Sequence, residues 1–178
     1  MIRQSLCKLL EDYTTPFSEE LYMRDKTLEF VLSHPNCFER SLEIGHITVS
    51  AIPFVRETKE VLLIHHRKIG KWFQPGGHCD GDSEVLRVAR KELMEETGIS
   101  TGEWHTQIYD IDIHPIFDAK GSHHHHFDIR FLVELPLETK IQIDQKEIIS
   151  ARFIPIGEVF QFNNDRSVLR FIEKLSEN

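Results

Sequence analysis

The sequence predicts an α/β or α+β fold built in layers. From Gly45 onward, segments rich in β-branched and large apolar residues, such as HITVSAIPFV, EVLLIHHR and ISARFIPI, are typical of strands. One long helical segment, about Ser83 to Thr97, lies between strands, and Gly98 follows it as a helix-ending glycine. A last helix is predicted from near Asp165. Strands and helices in this order bury their apolar faces against one another, which favours a layered fold.

The first forty residues predict a helical extension of that fold. Thr15-Pro16 separates two helical patterns, and the second begins near Ser18 and runs to His34-Pro35. We therefore divide the chain into a helical N-terminal extension, residues 1–40, and a main domain, residues 41–178. Apolar residues recur at helical spacing in both patterns, as Leu6, Leu9, Leu10 and Tyr13 and then as Leu21, Leu28, Val31 and Leu32.

Two later segments alternate apolar and polar residues at the two-residue period of a strand. They are YDIDIHPI, which begins at Tyr109, and HHHHFDIRFLVEL, which begins at His123. If these strands pair, their polar faces form one surface, and a polar face that simply meets solvent is an equal alternative. The polar residues are Asp110, Asp112 and His114 in the first segment and His124, His126, Asp128 and Arg130 in the second.

Composition indicates a soluble protein of the cytoplasm. The 178 residues are 40% hydrophobic and 28% charged, which is ordinary for a globular domain. The net charge of −8 disfavours proteins that coat nucleic acid or bind anionic membranes. No apolar run approaches the about 18 residues of a membrane span, and the charged amino terminus is not typical of a signal peptide. The three scattered cysteines indicate reduced thiols, so we expect a cytoplasmic location.

The segment from residue 76 to residue 99 carries the strongest chemical signal. On a helix, Glu92, Glu95 and Glu96 fall within an arc of roughly 100°, which they share with apolar residues of the same helix. Carboxylates so placed repel one another, and a hard divalent cation such as Mg²⁺ would relieve the repulsion. Gly76-Gly77 precede the helix and allow close approach of the backbone to a metal or phosphate. Taken alone, the glutamates are also compatible with a solvated acidic helix end.

This segment resembles the Nudix box, the signature of the Nudix hydrolase family. The family pattern is Gly, five residues, Glu, seven residues, Arg-Glu, an aliphatic residue, any residue, Glu-Glu, any residue, Gly and an aliphatic residue. Ser83 and Lys91 stand at the first Glu and the Arg positions, which brace the box in the family, and Glu84 with Lys91 is a conceivable substitute brace. The WFQPGGHCDGD run and the H-x-H-x-D-x-R strand resemble one subgroup. Counted from Gly77, the matching positions are Glu92, Leu93, Glu95, Glu96, Gly98 and Ile99.

The resemblance implies a Nudix-type α/β/α sandwich with a mixed sheet over residues 41–178. It also implies a pyrophosphohydrolase that cleaves a phosphoanhydride bond in a nucleoside diphosphate derivative or nucleoside triphosphate, with Mg²⁺ or Mn²⁺ as cofactor. The metal ligands would be Glu92, Glu95 and Glu96, with the carbonyl of Gly76. The general base varies in the family. Here it would be Glu92 or a glutamate in a later loop, for which Glu147 is the candidate, although Glu147 is equally well explained as a solvated residue.

Substrate contacts are predicted from charge, aromaticity and position. Arg67 and Arg130 are candidates for phosphate contacts, and Trp72 for stacking on a base, although each also suits an ordinary structural role. His78 lies in the loop that leads into the box. We rank a transition-metal site of three histidines and an aspartate below a grip on phosphate or ribose. The polar-strand candidates for that grip are His124, His126, Asp128 and Arg130.

Other functions on the same fold stay open at this point. A sensor of the Nudix fold that binds a nucleotide without cleaving it is the main alternative, supported by Ser83 and Lys91. An isomerase of allylic diphosphates is less favoured because the setting of Cys79 does not resemble that group's motif. RNA decapping is disfavoured by the acidic charge. The expected partner is a small nucleotide-type molecule, with no membrane and no nucleic acid, and a homodimer is an open alternative.

Overall fold

The computed structural model describes residues 3–117 and 123–177. Helices and strands account for most of these residues, and none of the helices within them is both long and apolar enough to cross a membrane. The helices are α1 (Gln4–Asp12), α2 (Ser18–Ser33), α3 (Val85–Thr97), a 3-10 helix (Ile156–Gln161) and α4 (Arg166–Glu177). The strands are β1 (Gly45–Val55), β2 (Glu60–His66), β3 (Lys71–Phe73), β4 (Gly76–His78), β5 (Glu103–Trp104), β6 (Asp110–Phe117), β7 (His123–Glu134) and β8 (Ile148–Pro155).

The predicted helices are confirmed to within a few residues. Helix α3 begins at Val85 because Asp82 first closes a turn, in which its Oδ1 accepts the backbone N–H of Glu84 at 2.9 Å. Gly98 ends the helix with a φ of 71°, and its N–H donates to the carbonyl of Met94 at 2.8 Å. A residue with a side chain would be strained at that φ, which is why glycine is favoured there.

Hydrogen bonds join the strands in the order β3-β2-β1-β7-β5, with β4 on β1, β6 on β7 and β8 on β2. The pairs β1–β2, β2–β3, β2–β8, β5–β7 and β6–β7 are antiparallel. Contacts divide the chain into two compact units, and β1, β4, α3 and β7 contribute residues to both. Among the described residues, unit 1 comprises 3–49, 77–89, 106–117 and 123–131, and unit 2 comprises 50–76, 90–105 and 132–177.

In unit 1, helix α2 packs on strand β6 through a buried carboxylate. Glu20 is fully buried, and its Oε1 accepts the hydroxyl of Tyr13 at 2.7 Å and the N–H of Ile111 at 3.3 Å.

The prediction that Leu32 lies in the apolar stripe is wrong, because Leu32 is 62% exposed. The helix can bury polar side chains because hydrogen bonds satisfy them. Its buried residues are Glu20, Thr27, Phe30 and Val31. The division of the chain at residue 40 stays a prediction.

Unit 2 has an apolar core to which helix α3 contributes Leu93. Trp104 and Phe153 pack against this core and are themselves partly buried. The core fixes the C-terminal half of α3 against strands of the same unit, so that the glutamates beside Leu93 have defined surroundings. The buried core residues are Ala51, Val55, Leu62, Leu93, Ile99, Val133 and Leu135.

Strands β6 and β7 pair, which meets the condition under which their polar faces form one surface, but this surface is buried where Arg130 lies. The register places Asp110 opposite Arg130 and Asp112 opposite Asp128. Arg130 is 2% exposed, and its guanidinium lies 2.8 Å from Asp128 Oδ2, 3.2 Å from Asp110 Oδ1 and 3.5 Å from Asp112 Oδ2. The hydroxyl of Thr48 donates to Asp128 Oδ1 at 3.1 Å. The solvent-facing alternative is therefore wrong for this part of the two strands.

This group of one arginine and three aspartates, the Arg130 cluster, carries a net negative charge inside unit 1. Burial by itself would lower the pKa of Arg130, but the charges of Asp112, Asp128 and Asp110 raise it above its ordinary value. The guanidinium is thus permanently charged and neutralises part of the aspartate charge. A buried ion pair of this kind costs much more to break than to keep, because the remaining partners are left charged and desolvated.

We expect Arg130→Met to lower the free energy of unfolding by about 3–5 kcal/mol, because three buried carboxylates lose their counter-charge. Chemical denaturation monitored by circular dichroism measures this change. Arg166→Met is the matched control, since Arg166 and Glu173 form a pair at the surface, with 47% and 48% of their side chains exposed. That control should change stability by less than about 1 kcal/mol. Equal effects of the two substitutions would contradict the importance of the Arg130 cluster.

Candidate functional site

In unit 2, the last turns of α3 present carboxylates at three degrees of burial. Glu96 is 5% exposed, Glu92 is half-buried, and Glu95 is exposed. The Oε2 atom of Glu96 accepts the backbone N–H of Gly76 at 2.9 Å. The start of strand β4 therefore reaches Glu96 and contributes a backbone donor to it, while the predicted approach of these glycines to a metal or phosphate stays a prediction.

A loop glutamate and a strand histidine join Glu96. One side-chain nitrogen of His66 and one carboxylate oxygen each of Glu96 and Glu147 all lie within 4.8 Å of one another. His66 is half-buried at the end of β2, and Glu147 is exposed just before β8. We call His66, Glu96 and Glu147 the Glu96 cluster. It brings the glutamate predicted from a later loop into reach of the box helix.

Backbone hydrogen bonds hold this loop against the end of α3. The N–H of Gln142 donates to the carbonyl of Thr97 at 2.8 Å, and the N–H of Asp144 donates to the carbonyl of Glu96 at 3.3 Å. These carbonyls are among the four that a helix leaves without partners at its C-terminus, so the loop satisfies them. On the other side, the N–H of Arg67 donates to the carbonyl of Glu147 at 2.8 Å. Glu147 is thereby fixed between a helix end and a strand end.

The pairing of β2 with β8 changes register next to the cluster. His65 lies opposite Ser150, whereas His66 lies opposite Ile148, so one residue of β8 is skipped. Such a bulge bends a strand and redirects its side chains, and bulges are frequent beside active sites. Here the skipped residue, Ile149, is exposed, while His66 remains half-buried within the Glu96 cluster.

The environment of Glu96 disfavours its charged form. Burial, the largest cause, and the charges of Glu92, Glu147 and Glu95 together raise the pKa of Glu96 to about 8, although the N–H of Gly76 acts in the opposite direction. Burial also lowers the pKa of His66, an effect that Glu147 opposes and Lys68 reinforces. Without a bound cation, Glu96 is thus mostly protonated at pH 7, and His66 is mostly neutral.

Lys91, at the position of the family's arginine, contacts the glutamates of the box. Its Nζ lies 3.3 Å from Glu95 Oε2 and 3.8 Å from Glu92 Oε1. The lysine is 58% exposed, so water screens its contacts with Glu92 and Glu95, and these contacts contribute little to stability. A single ammonium partly neutralises these two carboxylates. The substitute brace between Glu84 and Lys91 stays a prediction.

The donor set fits a hard divalent cation. Glu96 is buried among other carboxylates at an energetic cost, and a cation with oxygen ligands would stabilise their charged forms together. The carboxylates of Glu92, Glu95 and Glu147 complete an oxygen-rich group around it. His66 adds a neutral imidazole at the edge of this group.

Two further predicted contacts lie in unit 2. Arg67 is exposed beside the Glu147 loop, and its guanidinium donates to the carbonyl of Gln145 at 3.0 Å. Trp72, on β3, already packs against protein groups, since His65 stacks on its ring with centroids 5.1 Å apart. The guanidinium of Arg152 lies 5.6 Å from the same ring. Trp72 is therefore a half-buried part of an aromatic cluster, and its stacking on a base stays a prediction.

The remaining predicted contacts lie in unit 1. Asp128 and Arg130 belong to the buried Arg130 cluster, which explains their charges without a ligand. His78, His124 and His126 surround a histidine that the sequence reasoning did not single out, His46, with ring centroids 4.9–5.0 Å from it. We call His46, His78, His124 and His126 the His46 cluster.

Burial keeps two members of the His46 cluster neutral. Burial, the largest cause, and the neighbouring His78, His124 and Arg40 together lower the pKa of His46 to about 4. The backbone of Leu42 weakly favours the charged form of His46, but neither ring nitrogen has a hydrogen-bond partner of ordinary geometry.

His126 is perturbed in the same direction. Burial and the neighbouring His114, His78, His46 and His124 lower its pKa to about 2. Burial therefore disfavours the positively charged forms of His46 and His126, and the predicted grip of His126 on phosphate or ribose stays a prediction.

His46 and His66 are the two site residues that sequence reasoning missed. A signal for His46 is present, because His46, Thr48 and Ser50 alternate with apolar residues and so form a polar face along β1. Strand β1 is buried along its entire length, and a buried polar residue is more informative than an exposed one. No local signal marks His66, which ends an apolar run like many strand-end residues.

Comparison with known proteins tests the resemblance seen in the box. A model of the NUDIX domain family matches residues 45–175. The chain belongs to the NUDIX domain family. Phosphatase NudJ of Escherichia coli strain K12 is 30% identical over 128 residues, which are 70% of this chain and 77% of NudJ.

Solved structures of other Nudix proteins share the fold. The Escherichia coli dihydroneopterin triphosphate pyrophosphohydrolase matches with a TM-score of 0.59 and 18% identity, covering 72% of this chain and 92% of that one. The NUDIX domain of Shewanella oneidensis NrtR, complexed with ADP ribose, matches with a TM-score of 0.61 and 20% identity, covering 78% and 90%. The predicted fold class is confirmed, and the chain is a Nudix-type hydrolase. The narrower subgroup stays a prediction.

The raised pKa of Glu96 predicts a pH dependence of stability in the metal-free protein. The folded protein keeps this proton up to a pH of about 8, whereas an unfolded glutamate releases it near its ordinary value of 4.5. Between these values the folded state binds more protons than the unfolded state. The free energy of unfolding therefore falls as pH rises through this window, by an amount on the order of a few kcal/mol.

Chemical denaturation from about pH 5 to about pH 9, in the presence of a chelator, measures this dependence. The quantity compared is the free energy of unfolding of wild type and of Glu96→Gln at each pH. Wild type should lose stability relative to Glu96→Gln as pH rises, because glutamine does not titrate. Taking the difference cancels contributions from the histidines. Glu138→Gln is the control, since Glu138 is exposed, does not contribute to the pKa of Glu96 and should keep the wild-type dependence. If the free energies of unfolding of wild type and Glu96→Gln change with pH in parallel, the pKa of Glu96 is not raised.

Proposed function

We propose that this chain uses Mg²⁺ or Mn²⁺ to hydrolyse a phosphoanhydride bond in a nucleoside diphosphate derivative or a nucleoside triphosphate. The observation that carries the proposal is the Glu96 cluster, in which a buried carboxylate with a raised pKa lies among further carboxylates in unit 2. A diphosphate is strongly anionic, so this acidic site suits such a substrate only with cations between them. Hydrolysis rather than binding alone agrees with the name of the relative NudJ, a phosphatase.

Glu92, Glu95 and Glu96 would hold the metal, with the carbonyl of Gly76 as a further oxygen ligand. The N–H of Gly76 supports this arrangement, because it orients one oxygen of Glu96 and leaves the other available. When bound, the metal would neutralise phosphate charge, polarise a phosphoryl oxygen and acidify water. Lys91 would limit repulsion between Glu92 and Glu95 before the cation binds.

Glu147 would act as the general base that takes a proton from the attacking water. It lies in reach of Glu96, it is exposed to solvent, and backbone hydrogen bonds on both sides fix its position. His66 is a positioning residue in this proposal, since its neutral ring can share a hydrogen bond with the Glu147 carboxylate. Glu92 is the alternative base.

Arg67 would contact the substrate phosphates. Its backbone is joined to that of Glu147, and its guanidinium is exposed next to the same loop. A guanidinium with one hydrogen bond to a carbonyl keeps further N–H donors for a phosphate oxygen. Trp72, on the neighbouring strand β3, would support a base or ribose at its half-buried edge.

The first test is release of phosphate or nucleotide from a panel of nucleoside diphosphate derivatives and nucleoside triphosphates with Mg²⁺. Wild type should turn over at least one member, and Glu96→Gln should lower its kcat by at least ~10² because metal charge stabilises the transition state. The matched control is Glu138→Gln, an exposed glutamate of the loop after β7, which should keep wild-type activity. Metal-dependent nucleotide binding without turnover by wild type would favour the sensor over the hydrolase.

A second test separates Glu147 from the metal ligands. Glu147→Gln should lower kcat by about 10²–10⁴, the usual contribution of a general base. Its affinity for Mg²⁺ should change less than that of Glu96→Gln. An unchanged kcat, equal to that of Glu138→Gln, would show that Glu147 is a solvated loop residue and would transfer the role to Glu92.

A further inference from the structure

The His46 cluster gathers four imidazoles from three strands of unit 1. His46 lies on β1, His78 on β4, and His124 and His126 on β7. The ring of His46 lies 4.9–5.0 Å from each of the other three, and that of His126 lies 5.0 Å from His78 and 5.2 Å from His124. Nothing in the hydrolysis proposed above uses this cluster.

The ring nitrogens are close enough to share one ion. One nitrogen each of His46, His78 and His126 lie within 4.8 Å of one another. The Nε2 atoms of His124 and His126 are 3.3 Å apart. Two ligands at a Zn–N distance of about 2.0–2.1 Å and a tetrahedral angle are separated by about 3.3–3.4 Å, so this pair already has the spacing of two zinc ligands.

His46 supplies an independent observation. Its side chain is buried at 3% exposure, and neither ring nitrogen has a hydrogen-bond partner of ordinary geometry. A buried polar group without a partner costs free energy, and native proteins rarely leave one unless a ligand, ion or water satisfies it. The unsatisfied nitrogens lie among three other imidazoles, which points to an ion that imidazoles bind.

The backbone is built so that β1 approaches the histidine strand closely. Gly45, with a φ of 152°, precedes His46, and a Cβ at this position would lie 2.5 Å from the carbonyl oxygen of His125. The N–H of His125 donates to the carbonyl of Ile44 at 3.1 Å. Glycine is therefore required for the contact that brings His46 beside β7.

We propose that His46, His78 and His126 bind a Zn²⁺ ion, with His124 as the fourth ligand. Neutral imidazole is a preferred ligand of Zn²⁺, whereas the carboxylates of the Glu96 cluster suit Mg²⁺ or Mn²⁺, so the two centres differ in the metal they select. The ion would join β1, β4 and β7 and stabilise unit 1. This assignment replaces the substrate contacts predicted for His78, His124 and His126, and it does not depend on the proposed hydrolysis.

The test uses the full chain carrying Glu96→Gln, stripped of metal with a chelator. This background weakens the carboxylate centre, so metal bound to it reports chiefly on the histidines. We expect one equivalent of Zn²⁺ to bind, measured by competition with a chromogenic chelator, and to raise the Tm. We also expect Co²⁺ to give the intense visible absorption of tetrahedral nitrogen coordination in place of the weak bands of octahedral oxygen coordination.

His78→Asn and His126→Asn, each made in the same background, remove one ligand from two different strands. Each should weaken Zn²⁺ binding by at least ~100-fold, because loss even of an outer-shell partner costs 10–100-fold. His123→Asn is the matched control, since His123 is an exposed residue of the same histidine run and should bind Zn²⁺ like the parent. Circular dichroism of each variant before metal is added shows whether it is folded. Because two variants are made, the proposal can still be tested if one of them does not fold.

Three results would overturn the proposal. The first is failure of the Glu96→Gln protein to bind Zn²⁺. The second is binding that survives both His78→Asn and His126→Asn, which would place the metal on other residues. The third is an oxygen-type Co²⁺ spectrum. Because none of these measurements involves turnover, a failure here leaves the hydrolase proposal intact, and an inactive enzyme leaves this one intact.

Discussion

The chemistry of unit 2 depends on the burial of one carboxylate, that of Glu96. Because Glu96 is 5% exposed and surrounded by acidic neighbours, its charged form is unstable unless a cation or a donor compensates it. The N–H of Gly76 supplies one donor, and the loop that carries Glu147 is fixed to the same helix end. Strand β4 and the loop that carries Glu147 thus both satisfy polar groups at the C-terminal end of α3.

Unit 1 follows the same physical rule with different residues. It buries Glu20 with donors from Tyr13, Thr15 and Ile111, Arg130 with three aspartates, and His46 with three histidines. The first two groups are satisfied within the protein, so they stabilise the packing and do not call for a ligand. The His46 cluster differs, because the nitrogens of His46 remain without partners. That difference separates a structural polar cluster from a candidate binding site.

The altered box positions affect the electrostatics and leave the three glutamates of α3 in place. Lys91 is exposed and contacts Glu92 and Glu95, so it offers a mobile, well-hydrated charge where the family has an arginine. A lysine cannot form the bidentate pair that a guanidinium forms with a carboxylate. The box glutamates nonetheless keep the arrangement expected from their spacing, since Leu93 and the core of unit 2 fix the helix that carries them.

Sequence by itself determined the elements and the chemical character of this protein. The helical spacing, Gly98 and the strand alternation predicted α3, its end and the strands β6 and β7, because these depend on local periodicity. Only the tertiary structure decided which polar residues are buried. It placed Arg130 among aspartates, joined His66 and Glu147 to Glu96, and brought His46 to His126. Burial is set by contacts between residues far apart in the chain, so no local pattern contains it.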